Sequence, residues 1–162
     1  MKNQREIFCI SDTHFGHKNM IEWALRPLDF EDLLWKAIEA IPAQGILLHL
    51  GDISMGSDAL THERLRKIPC KKWLIRGNHD NHSFTWYMNN GWDFVGDELT
   101  LTIFGKHFLF SHIPIPRRDG IEKNIHGHMH GGKSHGFPDF YDTSYHMEIT
   151  PEVVGYNLVR LQ

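Results

Sequence analysis

Cysteine is scarce in this chain of 162 residues: only Cys9 and Cys70 occur, each beside a short apolar run. Two thiols are too few for a disulfide scaffold or a thiolate zinc finger. They read as buried, reduced side chains of a cytoplasmic protein. Long apolar stretches are missing too. In "MKNQREIFCISD" only four apolar residues precede Ser11 and Asp12, too few for a signal sequence or a membrane span. Positive charge is not in excess: 17 Lys and Arg against 20 Asp and Glu leave a formal net charge of −3, and no basic face for bulk nucleic-acid binding. A 41% hydrophobic, 23% charged composition is that of one globular domain, 1–162, with a proper core and no linker or repeat.

What the chain has in plenty is histidine, thirteen in all. They cluster where apolar runs end, most densely in "NIHGHMHGG", residues 124–132. Three of those runs, "EIFCIS" (6–11), "GILLHL" (45–50) and "KWLIR" (72–76), read as buried parallel strands. Helices are expected between and after them. The first runs through "DFEDLLWKAIEAIP" with Asp29 as N-cap, the second through "DALTHERLRKI" behind Ser57, the third through "HSFTWYMNN" behind Asn81. From Trp92 onward the pattern turns to short apolar segments ("LTLTIF", "HFLFSH", "EKNIHG", "SYHMEI", "VVGYNLVRL"), with "FGKH" (104–107) as a hairpin turn. The chain is therefore α/β, with a parallel first half and a strand-rich second half.

In open α/β sheets, ligands bind beyond the carboxyl ends of the strands. Those ends carry Asp12 and His14, then Asp52 in "LGD", then Asn78, His79 and Asp80 in "RGNHD", then His112, then His128 and His130. Asp, Asn and His without Cys suit Mn, Fe, Zn, Co or Ni rather than a structural thiolate site. Seven candidate ligands are too many for one ion. Two ions ~3.5–4 Å apart, sharing a carboxylate, would use them all, and such pairs activate water and clamp phosphoryl groups. Strand parity would aim His128 and His130 the same way, with Gly127 allowing close approach and His126 deeper as a supporting imidazole.

The blocks DxH, GD, GNHD, H and GHxH, in that order from Asp12 to His130, resemble the calcineurin-like metallophosphoesterase superfamily. The resemblance implies a four-layer α/β/β/α sandwich of two mixed sheets flanked by helices. It implies Asp12, His14 and His130 on one divalent ion, Asn78, His112 and His128 on a second, and Asp52 bridging. It leaves His79 to contact the phosphate and protonate the leaving oxygen, while a water held between the metals attacks phosphorus. Manganese is the expected ion. "GDISMGSDA" lacks the arginine that the family's protein serine/threonine phosphatases carry after the second aspartate, and the chain is too short for the capping domain of its repair nucleases. It is most similar to the small single-domain bacterial, archaeal and phage phosphodiesterases.

A small phosphodiester, nucleotide-like or cyclic, is the expected partner. A phosphomonoesterase is the close alternative, and a binding platform with the same fold the more distant one. The oligomeric state is open. Around this centre, His17 either touches the substrate or caps the following helix. Arg26, Arg117, Arg118 and Lys123 are candidates for phosphate contact from the cleft rim, with surface solvation as the competing reading for each. Asp80 either orients the His79 loop or is a plain helix acid, and His49 is a strand residue with a backbone partner. His62, His82, His107 and His146 read as ordinary, and His135 as a candidate for the rim.

Overall fold

A computed structural model describes residues 5–133 and 136–161. The apolar runs form β1 (Ile7–Ile10), β2 (Ile46–His49) and β3 (Lys71–Ile75), joined by α1 (Met20–Trp23), α2 (Phe30–Glu39) and α3 (Asp58–Lys67). After α4 (Phe84–Asn89), β4 (Phe94–Gly96) adds to β3 in parallel. The last strand, β9 (Val159–Leu161), runs antiparallel on β1, so the first sheet has the order β4-β3-β2-β1-β9. The second sheet is β5 (Glu98–Ile103), β6 (Lys106–Ser111), β7 (Ile121–His126) and β8 (His146–Glu148), in chain order. Its first pair is antiparallel and the other two are parallel.

Strand parity makes the sandwich. Ile10, Leu47 and Leu74 face the helices and pack with Phe30, Leu34, Ile38 and Tyr87. Their neighbours Cys9, Leu48 and Ile75 face the other way and meet Phe110 and Ile125 of the second sheet. Strands buried on both faces have no room for polar alternation, which is why β1 and β2 are continuous apolar runs. Both cysteines are buried and unpaired. Two mixed sheets lie face to face with helices flanking them, as expected. Among the described residues no helix is long and apolar enough to cross a membrane.

Several local expectations change. "VVGY" is not strand: Pro151 opens a short helix, α5 (Pro151–Val154), and Gly155 ends it at φ 63°. Proline at the first helical position and a left-handed glycine after the last are the usual signals, and both stand in the sequence. The helix expected behind Asn81 is α4, whose cap lies two residues further on at Ser83, with Ser83 Oγ accepting from Trp86 N–H at 3.2 Å, whereas Asn81 Nδ2 donates to His79 O. Asp29 and Ser57 occupy N-cap positions without a side-chain cap bond. The hairpin forms where expected, with Phe104 and Gly105 both left-handed (φ 52° and 75°), the geometry that matches strand twist in two-residue loops.

Candidate metal centre

The carboxyl ends of β1, β2, β3, β6 and β7 converge on one edge. Past its last strand residue, β1 stays stitched to β2: Asp12 N–H donates to Gly51 O (2.8 Å), His14 N–H to Asp52 O (3.0 Å) and Phe15 N–H to Ile53 O (2.9 Å). Asp80 draws in the third loop. Its carboxylate accepts from the N–H groups of Asp52 (2.8 Å), Gly77 (2.7 Å) and Ile53 (3.2 Å), so it orients loops and is no helix acid. A methyl group on Gly77 would overlap Asp52 Oδ1, and one on Gly127 would overlap Asp12 Oδ2 and Ser11 Oγ. Glycine is required at both places, at Gly77 because the Asp52 backbone and carboxylate pass within contact distance and at Gly127 because the Ser11 and Asp12 side chains do.

Five side chains at this edge hang from left-handed backbone: Asp12 (φ 52°), His14 (49°), Asp52 (55°), His128 (71°) and His130 (49°). Non-glycine residues avoid this region, and strain of this kind gathers at functional sites. It also corrects one expectation. Strand β7 ends at His126, so parity does not aim His128 and His130. Two left-handed turns do, and they send the two imidazoles to different clusters.

Asp12, His14 and His130 form one cluster, Asp52, His112 and His128 the other. In the first, His130 Nε2 lies 3.4 Å and His14 Nε2 3.7 Å from Asp12 Oδ1. In the second, His112 Nε2 lies 3.1 Å from His128 Nδ1, 2.9 Å from Asn78 Oδ1 and 3.5 Å from Asp52 Oδ2. The same Asp52 oxygen is 3.6 Å from His14 Nε2, so it stands between the two. Ligand atoms about 2.1 Å from a shared ion are spaced by roughly 3.0–3.4 Å, from octahedral to tetrahedral geometry, and the observed gaps of 2.9 to 3.7 Å lie within a few tenths of an ångström of that range. Asp12 Oδ1 and both ring nitrogens of His14 are buried without a hydrogen-bond partner. Such atoms are costly in a folded protein unless something outside the chain satisfies them. A divalent cation fits this donor set.

The surrounding groups set tautomers. His112 Nδ1 donates to Leu50 O (2.8 Å), which leaves Nε2 facing the cluster. Burial alone would push the His112 imidazole down, but Asp12 and Asp52 outweigh it and hold it up at about 9. Asp12, which burial alone would raise, is kept well below the carboxylate range by His112, His14 and His130. His130 Nδ1 lies 3.2 Å from Glu152 Oε2, and Glu152 Oε1 accepts from Arg26 Nε at 2.6 Å. Burial would raise Glu152, yet His130 and Arg26 hold it at about 2. His49 is fully buried between the loops: Gly51 N–H donates to Nδ1 (3.1 Å), Nε2 meets Thr13 Oγ1 (3.0 Å), and Thr13 Oγ1 donates to Ile53 O. Burial lowers its imidazole to about 3. His126 is likewise buried and held at about 4, chiefly by burial, with Nδ1 on Gly127 O and Nε2 against the Tyr141 hydroxyl.

Beside the clusters lies a cavity of about 450 Å³. His79 lines it, its N–H donating to Asp52 Oδ1 (2.9 Å) and its ring 41% exposed with Nε2 4.0 Å from Asp52 Oδ2. His17 lines it as well and caps nothing, the N-cap of α1 being Asn19.

The three candidate arginines and Lys123 are elsewhere. Arg26 is fully engaged: besides Glu152 it donates to the carbonyls of Thr13 (2.9 Å) and Asp12 (2.7 Å), so it clamps the Asp12 loop from behind. Arg117 reaches Asp142 and Ser144 and covers the Tyr145 ring, Arg118 pairs with Glu98, and Lys123 donates to Ser144 O, all away from the cavity. His135 lies outside the described residues. Glu152, which lies between the segments "SYHMEI" and "VVGYNLVRL", escaped notice because nothing local marks it. Its partners are brought to it only by the fold.

Comparison with known proteins follows the same lines. An uncharacterised protein of Methanocaldococcus jannaschii is 26% identical over 168 aligned positions, covering 98% of this chain and 89% of the relative. Among solved structures, a protein of unknown function from Aquifex aeolicus shares the fold with a TM-score of 0.77 and 23% identity, over 97% of this chain and 96% of its own. A novel archaeal phosphodiesterase shares it with a TM-score of 0.52 and 18% identity, over 90% and 82%. The sequence profile of the calcineurin-like phosphoesterases matches residues 6–155, nearly the whole chain and every strand end at the metal centre, and to that family the chain belongs.

Proposed function

We propose that the chain is a metal-dependent phosphodiesterase that holds two divalent ions. Asp12, His14 and His130 hold the first, Asn78, His112 and His128 the second, and Asp52 serves both. The observation that carries this reading is the position of Asp52 Oδ2, 3.6 Å from a histidine of one cluster and 3.5 Å from a histidine of the other. Asn78 ligates through a neutral carbonyl oxygen, so it adds no charge beside Asp52. Bound there, the ions would supply an acidified water and positive charge for the phosphoryl oxygens, and Mn²⁺, with Fe, Co, Ni and Zn, is among the ions that such oxygen and nitrogen donors accept.

The chain's own part is positioning and proton transfer. Asp52 accepts the His79 N–H and so fixes the loop on which that imidazole is carried. From the cavity wall His79 donates a hydrogen bond to a phosphoryl oxygen and hands its proton to the departing ester oxygen. A diester fits better than a monoester. Among the described residues no arginine lines the cavity, so nothing offers the bidentate clamp that suits a dianionic phosphate. A diester carries one charge and needs room for its second substituent, which the cavity provides.

The test uses chelator-stripped protein titrated with Mn²⁺, with hydrolysis of bis(p-nitrophenyl) phosphate and p-nitrophenyl phosphate followed in parallel. Diester turnover should rise to a plateau at about two bound ions per chain. Turnover of the monoester alone would make the chain a phosphatase. Two bound ions with no turnover of either would make it a binding protein.

A further inference from the structure

One wall of the cavity has no part in the metal centre. It is formed by Met20, Trp23 and Ala24 of the α1 segment, none of which offers a charged group. Met20 and Ala24 are buried, but Trp23 is 66% exposed. A large aromatic left open on the lip of a polar cleft exposes much apolar surface and offers a flat face to a ligand. The wall is also held in place. The Trp23 ring meets the edge of His17 at 5.2 Å and 88°, and His17 in turn lies 5.7 Å from His14. Lys133 Nζ donates to Ala24 O at 3.1 Å, tying the wall to the chain that follows His130. Two ring-to-ring steps thus separate the first cluster from the indole, a span that a ribose between phosphate and base can cover.

We propose that this wall is the subsite for the nucleobase of a nucleoside phosphoester, which is recognised by its face. The inference rests on the phosphoesterase reading of the metal centre and adds the class of substrate. Stacking needs only a π-face, and Met20, Trp23 and Ala24 offer no hydrogen-bonding pattern to read a base edge. The subsite therefore accepts purines and pyrimidines with modest preference for the larger ring. An aliphatic substituent would gain only contact with one exposed ring, whereas a base gains the stacking contribution of about 1–3 kcal/mol.

The experiment compares dissociation constants of adenosine 5′-monophosphate and methyl ribofuranoside 5-phosphate, which lacks the base, for Mn²⁺-loaded protein by equilibrium dialysis. The nucleotide should bind about tenfold tighter or more. Trp23→Ala should abolish that ratio while leaving the base-free ligand unchanged, and Trp23→Phe should keep most of it. Because the side chain is largely exposed, the alanine variant should fold, and circular dichroism checks this. Equal binding of both ligands by the unaltered protein would overturn the proposal. So would a ratio that survives Trp23→Ala, or a variant that weakens both ligands alike. A variant that alters only self-association, measured by sedimentation, would assign the face to a second copy and overturn it as well. If the base-dependent ratio stands while no phosphoester is hydrolysed, the subsite is right and the enzymatic reading beneath it is wrong.

Discussion

Asp12, His14 and His130 sit against a buried ion pair, Arg26 with Glu152, whereas His112 rests on a neutral main-chain carbonyl and its neighbour Asn78 is exposed. The first cluster is backed by charge: Glu152 faces one of its histidines and Arg26 grips the main chain of its aspartate. The second is backed by dipoles, and residues of both clusters line the cavity. A carboxylate behind an imidazole raises its basicity and fixes its tautomer, so on the proposed two-ion reading the first cluster should hold its ion more tightly than the second. If each cluster holds an ion as proposed, the second should leave before the first.

The comparison breaks most completely at the shared group. Asp52→Asn should weaken both ions together and lower diester turnover by at least about a thousandfold, read by metal analysis and kinetics on the same preparation. Loss of a single ion would mean that Asp52 belongs to one cluster only. Next in size is His79→Ala, which should retain both ions and lose about a hundredfold in turnover. Parallel loss of metal and activity would put His79 among the ligands.

Glu152→Gln sharpens the asymmetry itself. Competition against a chelating dye should show one of the two affinities falling by about tenfold to a hundredfold and the other holding. Equal weakening would leave the clusters equivalent. The smallest effect concerns His49, which braces both loops. Its imidazole is neutral when folded and titrates at about 3, below the ordinary value near 6.5. The unfolded chain therefore takes up this proton first as pH falls. The His49 contribution to stability is complete above pH 6.5 and declines toward pH 3, by about 1.4 kcal/mol per pH unit at most. His49→Asn keeps an acceptor for Gly51 N–H, and should reduce the proton uptake on unfolding near pH 5 by about one, measured by denaturant titration across pH.

Much of this was legible in the sequence because strand ends are local. Apolar runs closed by Asp, His or Asn mark both a buried strand and its ligand-bearing edge, so β1, β2, β3 and the blocks attached to them could be read directly. Gly127 was legible for the same reason, as a small residue between two histidines. What could not be read depends on distance along the chain. Arg26 looks like a surface cation until Glu152, 126 residues away, is placed beside it. Arg117 looked like a rim residue because its segment joins two histidine-bearing strands, and only the packed structure shows Asp142 taking its charge. The parity argument for His128 and His130 failed at a strand boundary, where one residue's difference decides whether period two applies.

The five left-handed residues have a consequence on an evolutionary scale. Asp12, His14, Asp52, His128 and His130 occupy backbone that glycine would adopt without strain. If folding were the only demand, glycine would be the easier residue for such backbone. That all five carry a carboxylate or an imidazole on strained backbone points to use, rather than foldability, as the reason for the residue type.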